Sequence, residues 1–202
     1  NLPFVQFLAP GLIMMTIAQN AFANTSSSIM VSKVQGNIVD ILMPPFTPNE
    51  LHFALVMGGV SRGIAVGISV GIAMSLFVNI NIHALFYTLF HAFMASIMLS
   101  QLGLIGGIWA EKFDHMAAIT NFLITPLTFL SGTFYSIQRL PDIFQAIAHL
   151  NPFFYMIDGF RYGVIGHADG NLTAGLVVMV GTNAMLWLIC TWMLRTGYKL
   201  KA

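Results

Sequence analysis

Residues 84–110 read ALFYTLFHAFMASIMLSQLGLIGGIWA, a run with no charged side chain and one ionisable group, His91. About 20 apolar residues carry a helix across a ~30 Å hydrocarbon core, whereas a strand of a membrane barrel needs only ~10. Lipid offers a backbone amide no partner outside its own segment, so a run of this length reads as a spanning helix. The rest of the chain has the same character. Hydrophobic residues make up 57% of its 202 residues and charged ones 7%, against roughly 25% charged in a soluble domain. The charged surface that keeps a soluble fold dispersed is missing.

Outward from this run, four more stretches have the length and polarity of spans. They are about Phe7–Val31, with Pro10 and Gly11 in its opening turns; about Gly59–Ile80, after an amphipathic lead-in at Leu51–Gly58; about Met116–Ser136, broken near Pro126; and about Ala174–Leu194. A short turn around Asn79–His83 joins the second to the third, and Glu111–Lys112–Phe113–Asp114 ends the third. The reading is an all-α integral membrane protein, one domain over residues 1–202, with about five transmembrane helices.

Basic residues stay on the cytoplasmic side of short loops. The alternation of spans sets Lys33, Lys112, Arg195, Lys199 and Lys201 on one side, against Arg139 and Arg161 on the other. The first set is read as inside, which makes the C-terminus cytoplasmic and puts Asn1 outside. The chain opens on Asn1 with no charged leader and cleavage site. The expectation is an upstream segment carrying another span, for six spans with both ends inside. A net charge of +1 gives no clustered basic face for nucleic acid. The lone Cys190 can form no intramolecular disulfide.

Gly59, Gly63, Gly67 and Gly71, then Ser75, recur every four residues on the second span, and Gly103 and Gly107 repeat the spacing on the third. Such faces admit another helix closely, either within the subunit or across a dimer seam. Arg62 sits inside this ladder. It either snorkels to the interface or pairs with Glu50, Glu111 or Asp114. His91 is either a neutral imidazole bonded to a neighbouring helix or a proton-relay or substrate contact. Glu111 and His115 lack the spacing of a zinc protease, and no metal site is read.

Two loops stand out. The loop at residues 32–50 carries Ile38, Val39, Ile41 and Leu42 around Asp40, then Pro44 and Pro45. This predicts a short amphipathic helix ended by the prolines, whose apolar face needs either a soluble partner or the membrane surface. The segment 136–170 predicts a helix after Pro141, with Ile143, Phe144, Ile147 and Leu150 on one face. Pro152 stops it, and an aromatic-rich helix Phe153–Ile165 follows. Asp158 and Arg161, three apart, can pair on one face. The segment reads as a hairpin dipping into the outer leaflet, or as a helical cap lying flat on it. Asn171-Leu172-Thr173 also fits a glycosylation triplet.

The run Pro126–Ser136 (PLTFLSGTFYS), then Leu140-Pro141, His149–Phe153 (HLNPF) and Gly159–Gly163 (GFRYG), resembles the signature region of ABC-2-type transporter permeases. Phe7–Leu12 (FLAPGL) and Lys33–Leu42 (KVQGNIVDIL) are similar to that family's second span and first cytoplasmic loop. The likeness runs in order through the chain and is strongest to the bacterial YadH-like and nodulation-export-like permeases. It implies six spans in the intact fold, so that the family's first span is absent here. It also implies a second copy of the subunit and a separate cytoplasmic ABC ATPase that binds ATP and Mg, in a bacterial inner membrane. The first inner loop would be the coupling element, with Lys33, Gly36, Asn37, Ile38, Asp40, Ile41 and Leu42 pressing on the ATPase. The outer segment would be a re-entrant hairpin closing the pathway, with Tyr135, Asn151, Pro152, Tyr155, Asp158, Arg161 and Tyr162 at the gate.

No catalytic residue is read, and no Gly-x-x-x-x-Gly-Lys-[Ser/Thr] loop is present, so any nucleotide and its cofactor metal belong to the partner. Three competing readings stay open. An ion-coupled transporter would want carboxylates inside spans, whereas the acidic residues fall in loops or at span ends. An intramembrane enzyme would have to use His91, or Asp158, Arg161 and His149, which are scattered. A non-transporting assembly subunit would need only the glycine ladder and a lipid environment.

Overall fold

A computed structural model describes residues 4–78, 81–139 and 141–200. The expected end of the second span at Ile80, the turn residue Asn79, Leu140 and Lys201 lie outside the described residues. The elements are α1 (Phe4–Val34), α2 (Ile38–Leu42), α3 (Pro48–Ser75), α4 (Leu85–Trp109), α5 (Phe113–Ile119), a π turn (Thr120–Ile124), α6 (Thr125–Phe129), a 3-10 turn (Ile137–Arg139), α7 (Asp142–Leu150), α8 (Pro152–Ile165) and α9 (Leu172–Thr196). No strand occurs among the described residues.

Four of these helices, α1, α3, α4 and α9, are long and apolar enough to cross a membrane. The fifth expected span, Met116–Ser136, is not one regular helix. Residues 113–129 follow a helical path of roughly 25 Å, which widens to a π turn immediately before Pro126 and ends at Phe129. Proline has no N–H to give the preceding turn, and the wider turn absorbs the mismatch; Thr125 also returns its hydroxyl to the Thr120 carbonyl at 2.9 Å. The second expected span differs in the opposite way. Its lead-in is continuous with it, because Thr47 and Glu50 form a capping box (2.7 and 3.3 Å) with Pro48 in the first turn.

α4 is the centre of the bundle. About 61% of its apolar window is buried, against 22% for α9, and α1, α3, α8 and α9 all pack on it. The approach is closest where side chains are missing. A Cβ on Gly63 would stand 2.9 Å from the Ile17 carbonyl, and one on Gly59 3.0 Å from that of Ala21. One on Gly67 would collide with the Ile17 side chain. On α4, a Cβ on Gly103 would stand 2.5 Å from the Phe22 carbonyl, and one on Gly107 3.0 Å from that of Ser26. Both glycine faces are therefore turned to α1 in the same chain. Gly71 is different: its nearest neighbour, Ile13, is at 4.0 Å.

These distances rank the glycines. Gly103→Ala forces a methyl against rigid backbone and should cost about 1–3 kcal/mol, read as a Tm several degrees lower in detergent. Gly71→Ala should leave the Tm unchanged, and equal effects at the two positions would refute the ranking.

Candidate functional site

At the basic end of the bundle α1 turns through Gly36, whose φ of +76° is in the left-handed region, into α2. Ile38 is buried with Ile29, Leu104, Ile108, Cys190, Met193 and Leu200, and Ile41 packs against the same cluster. The apolar face of α2 is thus covered by its own chain, neither of the two covers considered from the sequence. Val39, Leu42, Met43 and Phe46 remain exposed, with Asp40 among them. Asn37 precedes α2 without capping it, its amide 3.5 Å from Gln35 Oε1.

Lys33 is not displayed beside these residues. Its ammonium turns inward and donates to the carbonyls of Ile108 (2.7 Å) and Ala110, at the C-terminus of α4. From the other flank Lys199 donates to the Trp109 carbonyl (3.3 Å) and Glu111 Oε1 (3.0 Å), and lies 5.3 Å above the Trp109 ring. Both cations face the negative end of the α4 dipole, where terminal carbonyls lack intrahelical donors. The Lys199 ammonium holds the Glu111 carboxyl below the usual carboxylate range. That pair is solvent-exposed, so water and salt screen it strongly. Burial of Leu200, about 2 kcal/mol, does more to seat the tail. Arg62 pairs with none of the three carboxylates considered for it; it is exposed and donates to Asn24 Oδ1 on α1 at 3.4 Å.

At the opposite end Asp158 and Arg161 do not pair with each other. Asp158 accepts the backbone N–H groups of Asp169 (2.8 Å) and Gly170 (3.0 Å). Arg161 donates to the Gly132 carbonyl (2.6 Å), with its guanidinium 3.9 Å from the Phe7 ring centroid. Both side chains are buried, at 2% and 1% exposure. Backbone donors satisfy a buried carboxylate as well as a neighbouring cation would, and they tie three segments together. Asp169 extends the network, accepting from Ile137 N–H (3.2 Å) and meeting His167 Nε2 at 3.1 Å. Phe7 and Gly132 stand in the stretches that carry the resemblance, without a role assigned to either; His167 and Asp169 are not singled out in the sequence.

Asn151 caps α8 through Phe153 N–H (3.0 Å), donates to the Leu127 carbonyl (3.0 Å), and is followed by Pro152 in the first turn. Asn171 caps α9 in the same manner, through Ala174 N–H at 3.1 Å. Tyr135 donates to the Phe129 carbonyl (3.2 Å), Tyr155 lies against Phe154 and His149, and Tyr162 against His83 and Tyr87. α7 and α8 have different surroundings: Ile143, Phe144, Ile147 and Leu150 of α7 are exposed, whereas α8 is mostly buried. α8 runs antiparallel along the start of α4, setting Gly159 against His91, Gly163 against Thr88 and Gly166 against His83. The bond His91 makes is to its own helix, with Nδ1–H donating to the Tyr87 carbonyl at 2.9 Å. Its Nε2 is buried without a partner among the described residues. No group of three or more metal-ligating side chains occurs among the described residues.

A groove of about 390 Å³ separates α1 from the α5–α6 segment. It is lined by Gln19, Phe22 and Ser26 of α1 and by Met116, Thr120 and Thr125 of the α5–α6 segment. None of its lining residues carries a formal charge. The signal that could have found it is the run of small polar residues on α1, Asn24–Ser28, inside an otherwise apolar helix.

Residues 2–165 match the family described as ABC-2 type transporter. The chain is similar to the inner membrane transport permease YadH of Escherichia coli (strain K12), 38% identical over 199 residues, covering 98% of this chain and 78% of that protein. It is also similar to nodulation protein J of Rhizobium leguminosarum bv. viciae, 28% identical over 102 residues, 50% of this chain and 39% of that one. Nodulation protein J of Neorhizobium galegae is 26% identical over 83 residues, 41% and 32% of the two chains.

The Arg161 network generates a stability test. Arg161→Met keeps the bulk and loses a charge-assisted hydrogen bond, at a cost of about 2 kcal/mol. A Tm lowered by several degrees, with hydrogen exchange raised at residues 131–137, is expected. An unchanged Tm would remove Arg161 from the tie between α8 and the Gly132 turn.

Proposed function

The chain belongs to the ABC-2 type transporter family, and we propose that it is the permease subunit of an ATP-driven exporter working with a separate ABC ATPase. The observation that carries this reading is α2. A short helix whose Ile38 and Ile41 sit in the bundle, and whose Val39, Leu42 and Met43 face outward, can be pushed from one side and move four long helices on the other. ATP and its Mg would be held by the partner, whose closure would press on α2 and the Gly36–Asn37 turn; Asp40 would face that partner. Lys33 would act from behind, keeping α1 seated on α4.

In this reading α2 and the C-terminus lie in the cytoplasm of a bacterium, residues 113–129 provide a fifth span in the inner membrane, and a second copy completes the pathway. The groove between α1 and the π turn would be one wall of that pathway. The segment 136–170 would close its outer end as a re-entrant pair, with Tyr135, Asn151, Pro152, Tyr155, Asp158, Arg161 and Tyr162 at the gate. The antiparallel run of α8 along the first turns of α4 supports the re-entrant placement, since it carries the N-terminus of α8 toward the middle of a spanning helix.

Co-purification of the full-length permease with its ATPase tests the reading. Val39→Asp together with Leu42→Asp alters only exposed positions and should abolish recovery of the ATPase, with the Tm of the permease unchanged. A homo-oligomer from which the ATPase is absent in the wild type, or recovery indifferent to these substitutions, would refute it.

A further inference from the structure

The residues that follow α9 fold back onto the bundle. Gly197 takes φ +66° and reverses direction, and Lys199 holds φ +51°, the only described residue other than glycine in the left-handed region. A lysine stays in that conformation only where its surroundings over-determine it. They do so here on both sides. The Lys199 ammonium bonds the Trp109 carbonyl and Glu111, and Leu200, 5% exposed, closes the cluster that buries Ile38 and Ile108. The hook 197–200 therefore shares a cluster with α2, grips the end of α4, and is continuous with α9.

We propose that this C-terminal hook is a transmission element, with Lys199 and Leu200 as positioning residues that lock α2 to the ends of α4 and α9. The proposal rests on the reading that α2 receives the motion of an ATPase. Lys33 and Lys199 divide the labour. Lys33 ties α1 to the α4 carbonyls, and Lys199 ties α9 to the same helix end, so a displacement of α2 reaches α4 through contacts with α1 before it and the hook after it. Without the hook, α2 would keep its outward residues and its ATPase, but the cluster that seats Ile38 against Ile108 would be opened at Leu200 and the motion would reach α4 only weakly.

The test is hydrogen exchange on the full-length permease–ATPase complex in lipid nanodiscs, with and without ATP and vanadate. The wild type should show a nucleotide-dependent difference both at 38–42 and at 104–110. Lys199→Glu combined with Leu200→Asp should retain the ATPase and the difference at 38–42, and lose at least four-fifths of the difference at 104–110. Lys199→Glu alone should lose part of it, and Lys199→Arg should keep it. A hook that served stability alone would raise resting exchange and leave the nucleotide-dependent difference in place. A difference at 104–110 that survives in the double variant overturns the proposal and leaves the coupling reading standing. Absence of the ATPase from the wild-type complex overturns both.

Discussion

The structure depends on how closely α1 can approach α3 and α4. In a bilayer the surrounding tails are as apolar as the side chains, so helices gain nothing by hiding hydrocarbon from water. What remains is contact at van der Waals distance, and contact energy falls off within an ångström of its optimum. Gly59, Gly63, Gly103 and Gly107 bring α3 and α4 so near α1 that a Cβ would stand 2.5–3.0 Å from its backbone. An alanine at any one of them would prop the pair apart along several turns. α1 is thereby held against both α3 and α4, which also touch each other, and the rest of α4 is left to α8 and α9.

Polar groups within this bundle are satisfied mostly by their own helices. Ser96 returns its hydroxyl to Ala92, Thr128 to Ile124 and Thr16 to Leu12, each four residues back, which spares the neighbours any obligation to provide partners. Most formal charge sits at the two ends, where it acts between segments: Lys33 and Lys199 on the α4 carbonyls, Asp158 and Arg161 on backbone groups of the facing turns. Arg62, halfway along α3, is the exception and reaches Asn24 on α1.

Much of this was legible in the sequence. The long helices follow from length and polarity alone, the glycine faces from four-residue spacing, and the two short loop helices from proline placement. What misled was pairing by spacing. Asp158 and Arg161 stand three apart on one helix, but a buried carboxylate takes whichever donors lie nearest, and the turn at Asp169–Gly170 offers two backbone N–H groups at once. The family resemblance places Lys33 with the coupling loop; the Lys33 ammonium is drawn inward to the unpaired carbonyls ending α4, distant in sequence. Thr47-Pro48-Asn49-Glu50 did carry a readable capping signal, and reading it would have joined the lead-in to α3. For the groove beside the π turn, the polar run Asn24–Ser28 marks one wall, but the facing wall is brought to it only by the fold.

Both ends of functional interest converge on α4. At the basic end its last carbonyls receive the two lysines that flank α2; at the other, its first two turns form the track on which α8 lies, glycine against His91 and Thr88. Between them α4 is a single uninterrupted helix from Leu85 to Trp109. A helix of that length, buried along most of its course, moves as one body, because bending it would break backbone bonds that lipid cannot replace. Any axial shift or tilt imposed at Trp109 therefore arrives at Leu85 with little loss. α5–α6 is built otherwise, with a π turn and a proline near its middle, so it can flex where α4 cannot. The stiff helix links the two ends of the molecule, and the segment with the π turn and the proline lines the groove beside α1.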